Sequence, residues 1–550
     1  MKKPGGFRKP IKSSQFKKTE EILAEAARVW QEDLGKIPIS AELQANYQML
    51  KAVFGESSDI VYRHFNIAGD PKLKAFLVYV DGLIDKASLE QDILKNLTIF
   101  ARDAGPQVPI SQANLLDILK DYSISIGEIR NARTLGEAVD AALVGDVPLF
   151  VDGNDYAVVC SIKGWMQRSL EEPATESVIR GAREGFNETI RTSTALLRRR
   201  IRDPRLRTKA MRIGRRSKTD VVLVYLEGVI DPEIVAEAER RLSLIDTDFI
   251  LESGYIEQYI EDDPWSPFPQ VQATERPDKV AAGIMYGRLA ILIDNSPFAL
   301  LVPTVFNELQ QSSEDFYERW LISSILRLVR FLASLTALTL PALYVALLSY
   351  HPEMIPTRLA MSIAGARSTV PFPVFLEALL LEGAMEILRE AAVRLPAPIG
   401  PTIGIVGGLI IGEAAVRAGI VSPLMVIIVA LTTIGSFAMP SYSAAVATRV
   451  LRFPVMAAGA VFGLYGVILL LILIMIHLAA LESFGVPYLA PVAPMRGREW
   501  RDTFFRFPLW SVELRPAHLS TRDERRQEEI TSAYEDYLKP KPKENQDGQE

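Results

Sequence analysis

The pattern of polar and apolar positions divides this chain in two. Up to about residue 319 the apolar residues come in short runs, broken by Gly, Asp, Asn and Pro. From Trp320 to Leu481 the runs lengthen. Phe331 to Tyr350 carries no charge over twenty residues, Ile420 to Ala447 none over twenty-eight, and Pro454 to Leu481 has one residue of the Asp, Glu, Lys, Arg and His set, His477. About 20 apolar residues in a helix cross a hydrocarbon core of about 30 Å. In lipid every backbone N–H and C=O must be satisfied internally, so such runs must be helices. Buried helices of a soluble domain are seldom this long without a polar face. The pattern predicts an α/β soluble N-terminal half followed by an all-α polytopic membrane domain.

The soluble half repeats itself. Leu77-Val-Tyr-Val-Asp-Gly-Leu-Ile-Asp85 matches Leu223-Val-Tyr-Leu-Glu-Gly-Val-Ile-Asp231, and residues 145–159 match 287–301 in the same order and at nearly the same spacing. Ordered matches of this kind indicate duplication. Each unit reads as a strand (Lys74–Val80; Val221–Leu226), a helix (Ser88–Leu97; Pro232–Leu242), a strand (Ser123–Arg130; about Val271–Glu275), a helix (Leu135–Leu143; Asp278–Met285) and a two-stranded hairpin. This β-α-β-α-β-β order predicts two mixed-sheet subdomains. It resembles a thioredoxin-like layout, but Cys-x-x-Cys is absent and redox chemistry does not transfer. Leu289–Val305 is apolar enough for a short span. Its repeat partner, Val147 to Ile162, has Asp152, Asn154 and Asp155 at the tip, so Leu289–Val305 is expected to be a buried hairpin instead.

The expected domains are a basic extension (1–50), α/β subdomain 1 (51–163), a basic helical connector (164–218), α/β subdomain 2 (219–319), the transmembrane domain (320–485) and a charged tail (486–550). Net charge is −6, which gives no global pull toward nucleic acid. The basic N-terminus lacks the apolar core of a secretory signal. From Arg180 to Lys218 the connector holds fourteen Lys/Arg against three acids. Between Glu172 and Lys218 Phe186 is the only aromatic residue, too few for base stacking. Arg180, Arg183, Arg198, Arg199 and Arg200 are candidates for lipid or subunit contacts, with an ordinary interdomain face as the alternative.

The connector also carries a resemblance. EPATESVIRGAREGF, followed by a run ending LLRRRIRDPRL, resembles the A subunits of spore germinant receptors of the GerA family. The likeness continues in PFPVFLEALLLEGAMEILREAAVRLPAPIG and IVGGLIIGEAAVRAGIVSP, and spans roughly Gly164 to Pro494. The chain departs from the family pattern at Ala182, usually Pro, and at Glu413, often Gln. The resemblance implies a subunit in the inner membrane of dormant spores, acting with a transporter-like B subunit and a lipoprotein C subunit. It also implies a ring of A subunits that conducts ions when germinant binds.

Ionisable residues inside a membrane are expensive and are functional candidates by default. Helix Pro371–Leu395 carries Glu377, Glu382, Glu386, Arg389, Glu390 and Arg394. Helical geometry puts Glu382, Glu386 and Arg389 on one face and Glu377 nearly opposite. Such a helix either lines a watery path or lies in the headgroups. Glu413 and Arg417 can pair at i,i+4, beside a Gly-rich segment suited to close helix approach. Pro423 and Pro440 are expected to kink their helix. Arg496, Arg498, Arg501 and Arg506 place the C-terminal tail in the cytoplasm by the positive-inside rule, beside an N-terminal half without an export signal. Two cytoplasmic ends need an even number of crossings; four are expected, with Pro371–Leu395 interfacial or re-entrant. The four histidines show no metal spacing, and neither a phosphate-cradling loop nor a Gly-x-Ser-x-Gly elbow is present. The reading is a non-enzymatic subunit without cofactor or metal. A secondary transporter and a non-conducting scaffold remain as alternatives.

Overall fold

The computed structural model describes residues 34–100, 128–164, 172–394, 412–503 and 505–527. Its soluble half contains two five-stranded sheets. The first comprises β1 (Ile60–Asn66), β2 (Lys74–Val80), β3 (Ile129–Ala132), β4 (Val147–Val151) and β5 (Ala157–Cys160), with helices α1 (Leu43–Phe54) and α2 (Leu135–Val144). The second comprises β6 (Leu206–Ile213), β7 (Thr219–Leu226), β8 (Gln272–Thr274), β9 (Leu289–Ile293) and β10 (Ala299–Val302). Its helices are α3 (Ile190–Arg200), α4 (Pro232–Ser243), α5 (Ser253–Ile260) and α6 (Pro277–Met285). The spatial orders, β1-β2-β4-β5-β3 and β6-β7-β9-β10-β8, are equivalent strand for strand. Register agrees as well: Leu77 faces Leu149, and its counterpart Leu223 faces Ile291. Gly145 and Gly287 end the equivalent helices with φ of 92° and 95°. The duplication therefore holds in three dimensions, and Leu289–Val305 contains the buried β9–β10 hairpin.

Two expectations are corrected here. Every pairing in the two sheets is antiparallel, so the sheets are not mixed. The strand after the helical crossover does not return beside its predecessor; β3 lands on the opposite edge against β5. Each sheet also begins with a strand that the apolar pattern missed. β1 and β6 are edge strands whose partly exposed positions include His64, Arg63, Lys209 and Arg212, so neither forms an apolar run. Because β6 lies within 164–218, the connector is part of the second sheet rather than a helical link.

That connector holds the two units together. Arg198 of α3 is fully buried and grips Asp59, just before β1, through Nε (2.7 Å) and Nη2 (2.9 Å). Thr208 of β6 donates to the same carboxylate at 2.6 Å. Burial alone pushes the Asp59 carboxyl up, but the Arg198 charge and the hydrogen bonds from Arg198 and Thr208 hold it below its ordinary value. Residues 172–186 run as a strap along β8. Arg276 donates to the Glu176 and Ala182 carbonyls, and Lys279 pairs with Glu176 at 2.7 Å.

Among the described residues the membrane half includes α7 (Trp320–Tyr350), α8 (Thr357–Arg367), α9 (Val374–Arg394), α10 (Pro423–Phe437) and α11 (Tyr442–Ala480). The chain reverses inside α11. Gly463 has φ 63°, ψ −148°. A Cβ at Gly459 would touch the Val467 side chain, and one at Gly466 would meet the Ala458 carbonyl. Ala444 and Leu478, near opposite ends of α11, belong to one apolar cluster with Phe268 of the soluble half. The two arms, 442–462 and 464–480, are therefore antiparallel, each about as long as a hydrocarbon core is thick. The structure differs in two respects from the expectation of four spans with 371–395 in the interface: α9 packs against the other helices of the bundle, and α11 folds into two antiparallel arms, while residues 395–411 lie outside the described residues. Pro423 and Pro440 kink nothing. Pro423 opens α10, and Pro440 lies in the turn that separates α10 from α11.

The helices begin and end against the second subdomain. Asp315, ahead of α7, is buried and paired with Arg327 (3.3 Å) and Arg330. After α11 the chain returns to the same subdomain. Ser483 donates to the Gln270 carbonyl (2.7 Å), Tyr488 to that of Pro269 (2.6 Å), and the Arg522 N–H to that of Val229 (3.0 Å). The resolved N- and C-terminal portions thus share one face of the bundle.

Candidate functional site

The fold turns the charges of α9 inward. Glu382 and Arg452 of α11 are each 1% exposed and pair at 2.5 Å. The other Glu382 oxygen accepts from Thr432 Oγ1 of α10 at 3.0 Å, and Arg452 Nε donates to the Ala337 carbonyl of α7 at 2.8 Å. One ion pair thereby ties four helices. Arg452 stands ten residues into the first arm, about 15 Å along it, near the middle of a bilayer-thick slab. A turn nearer the soluble half, Glu386 meets Arg389 at 2.8 Å and Arg449 at 3.5 Å, while Arg389 also reaches Ser436 Oγ at 3.4 Å and the Phe437 ring. Toward the opposite end, Glu377 is fully buried. It accepts from the Ser422 N–H (2.6 Å) and hydroxyl (2.5 Å) and lies 3.4 Å from Arg367. Glu377 to Arg389 covers about 18 Å of helix, so the ionic groups form a seam through most of the membrane's thickness.

The arrangement explains why charge is tolerated there. An unpaired ion in hydrocarbon costs several kcal/mol on the order of the insertion scales. Each carboxylate here meets an arginine or a hydroxyl. Close backbone approach makes the contacts possible: a Cβ at Gly435 would lie 2.8 Å from the Ala333 carbonyl, and one at Gly459 would lie 2.9 Å from that of Ala342.

Of the acids singled out by sequence, Glu377, Glu382 and Glu386 belong to this seam. Glu413 does not; it makes the expected pair with Arg417 at 2.5 Å, but on an exposed surface. Most of the Gly-rich segment, 403–411, lies outside the described residues. Among the connector arginines, Arg198 is corrected from a surface contact to an internal clamp. Arg199 and Arg200 pair with Glu184 at 3.5 and 2.8 Å. Arg180 and Arg183 stay exposed, Arg180 only 3.9 Å from Glu318. Sequence reasoning missed Arg449 and Arg452, yet a signal existed. They are an i,i+3 pair of arginines between two uncharged runs, where a charged break reads as a loop. His477, expected to pack or lie at an interface, hydrogen-bonds Ser266 Oγ at 2.9 Å and packs on the Phe268 ring.

Comparison with known proteins now bears on these features. The profile of the family described as Bacillus/Clostridium GerA spore germination protein matches residues 48–518. The chain belongs to the GerA family. GerA-family relatives span nearly its whole length. It is 44% identical to spore germination protein GerLA of Bacillus cereus over 486 residues, 88% of this chain and 97% of that one. It is 43% identical to the uncharacterized membrane protein YfkQ of Bacillus subtilis over 489 residues, 89% of this chain and 93% of that one. Among solved structures, the crystal structure of the N-terminal domain of the A subunit of the Bacillus megaterium spore germinant receptor GerK3 matches 49% of this chain and 97% of that one. The identity is 34% and the TM-score 0.39. This GerA-family chain is a spore germination membrane protein of the A-subunit type, and not an enzyme.

Proposed function

We propose that this GerA-family chain is the A subunit of a nutrient germinant receptor in the spore inner membrane, and that several copies assemble into a germinant-gated ion-conducting complex. A transporter-like B subunit and a lipoprotein C subunit are its partners. The soluble half and the C-terminal segment face the cytoplasmic core, a placement supported by their shared face and by Arg496, Arg498 and Arg501 just beyond the last helix. The observation that carries the reading is the ionic seam. Seven charged side chains on α9 and α11, or facing them from α8, follow one another through a lipid-bounded bundle, which is costly unless charge has work to do there.

Complete pairing of the Glu382 carboxylate favours a second reading, in which the seam is a structural lock and the chain a non-conducting scaffold that couples sensor to downstream machinery. Ion release separates the two. Glu382→Gln alone strands buried Arg452, so the pair is changed together, Glu382→Gln with Arg452→Gln, and Glu386→Gln is examined beside it. On the conducting reading, germinant-triggered ion release, and flux in liposomes carrying the assembly, falls while the complex still assembles. Release at the wild-type rate in both variants rules the seam out of the ion path. It shifts the search to the helix around Glu413, or to the scaffold.

A further inference from the structure

We infer that Trp265 is an interfacial anchor: its indole sits in the lipid headgroup layer on the soluble-domain side and fixes the height of the second subdomain over the bilayer. The inference rests on the membrane fold alone and not on ion conduction.

Aromatic residues mark both edges of the slab. At the reversal of α11, Phe462 and Tyr465 are 62% and 70% exposed; at the soluble side, Phe437 and Tyr442 are 69% and 67% exposed. Tyr442 and Phe462 are about 30 Å apart along one helix, the thickness of a hydrocarbon core. Between these edges the outer surface of the second arm is aliphatic, with Ile468, Leu469, Ile472, Leu473, Met475 and Ile476 all exposed. The last large side chain of that band is Ile476, with Ala479 and Ala480 exposed beyond it. The residue after Ile476 is His477, which holds Ser266, and Trp265 is the neighbour of Ser266. The loop of Trp265 therefore meets the second arm about 18 Å of helix from Tyr465, toward the soluble end of the slab.

The loop presents this side chain rigidly. Asp263 Oδ1 accepts from the Trp265 N–H at 3.1 Å, the Asp263 carbonyl accepts from the Ser266 N–H (3.1 Å) and Gln270 Nε2 (2.7 Å), and Gln270 Oε1 accepts from the Asp263 N–H (2.8 Å). Pro264, Pro267 and Pro269 limit its backbone further. Phe268 is buried among the helix ends, yet Trp265 is 94% exposed. The neighbouring acids do not oppose a membrane. Asp263 is occupied within the loop, and Asp262 is held by Arg241 at 2.6 Å. An apolar ring with one polar N–H, held at the end of the lipid-facing band, is matched by the headgroup layer, where one side is apolar and the other wet.

The test is depth-dependent quenching on the full chain in nanodiscs. The wild-type minus Trp265→Phe difference spectrum isolates this one indole among six tryptophans. Lipids brominated high on the acyl chain are expected to quench it strongly, lipids brominated near the chain end weakly, and aqueous iodide weakly. Quenching by iodide without either bromolipid puts the indole in water and overturns the inference. A blue-shifted difference spectrum quenched by none of them places a neighbouring protein chain over it, and overturns it equally. A nitroxide on Trp265→Cys, with the buried Cys160 replaced by Ser, supplies a second depth reading through its accessibility to oxygen against a water-soluble relaxant. It should report the same depth.

Discussion

At the scale of single residues, the buried ion pairs are where one substitution has the largest effect. Removing one partner leaves the other as an uncompensated charge, at about 3–5 kcal/mol, whereas replacing both with apolar groups is often neutral. Arg452→Met should therefore lower the thermal midpoint in detergent by many degrees, and Glu382→Leu with Arg452→Met should recover most of the loss. A single variant as stable as wild type would mean that the pair is not buried. Arg198→Met should behave likewise in the soluble half by stranding Asp59. Glu257 of α5 responds to pH instead. Burial first, and then the charges of Glu261 and Glu252, push its carboxyl up to about 7. Its folded value lies above its unfolded one, so the folded state holds the extra proton between them. This stabilisation is present below the unfolded value of about 4.5 and is lost as pH rises through about 7. Denaturant midpoints should fall over that window, and Glu257→Gln should flatten the decline.

At the scale of elements, the reversal of α11 depends on one position. Gly463 occupies a region of φ/ψ space open essentially to glycine, and a Cβ there would crowd Tyr350 and His351 at the end of α7. Gly463→Ala should cost about 1–3 kcal/mol and loosen the contact between α7 and the hairpin. Thermal unfolding in detergent, with protease cutting at the tip as a local readout, measures it; an unchanged midpoint would remove the single-residue turn from the account. The strap 172–186 shows how a motif can be structural. Several of its conspicuous residues tie the chain along β8, and Ile179, Arg180 and Arg183 are among those left facing outward.

At the scale of the whole molecule, α7 leaves the second subdomain and the second arm of α11 returns to it, so the described N- and C-terminal portions lie on one side of the bundle. Epitope tags at the two termini should be digested together, in vesicles of one orientation only. Tags cut in opposite preparations would break the shared-face arrangement. The docking of residues 482–527 onto the second subdomain also makes the soluble and membrane halves one mechanical unit.

By itself the sequence determined the division into soluble and membrane halves, the duplication, the hairpin nature of Leu289–Val305 and the family. Each of these is written in local signals: run length, period, turn residues and repeated strings. Strands β1 and β6 were not legible because edge strands keep polar positions and form no apolar run. The antiparallel sheets were not legible because strand order is not sequence order, and β3 pairs across the unit with β5. The reversal at Gly463 was hidden because a glycine within an apolar run looks the same whether the helix continues or turns back. The acids of α9 could be named from the sequence, but their partners could not. Glu382 and Arg452 are seventy residues apart, and only the packing of four helices around Gly435 and Gly459 brings the two charges within hydrogen-bonding distance, away from water, where each makes the other tolerable.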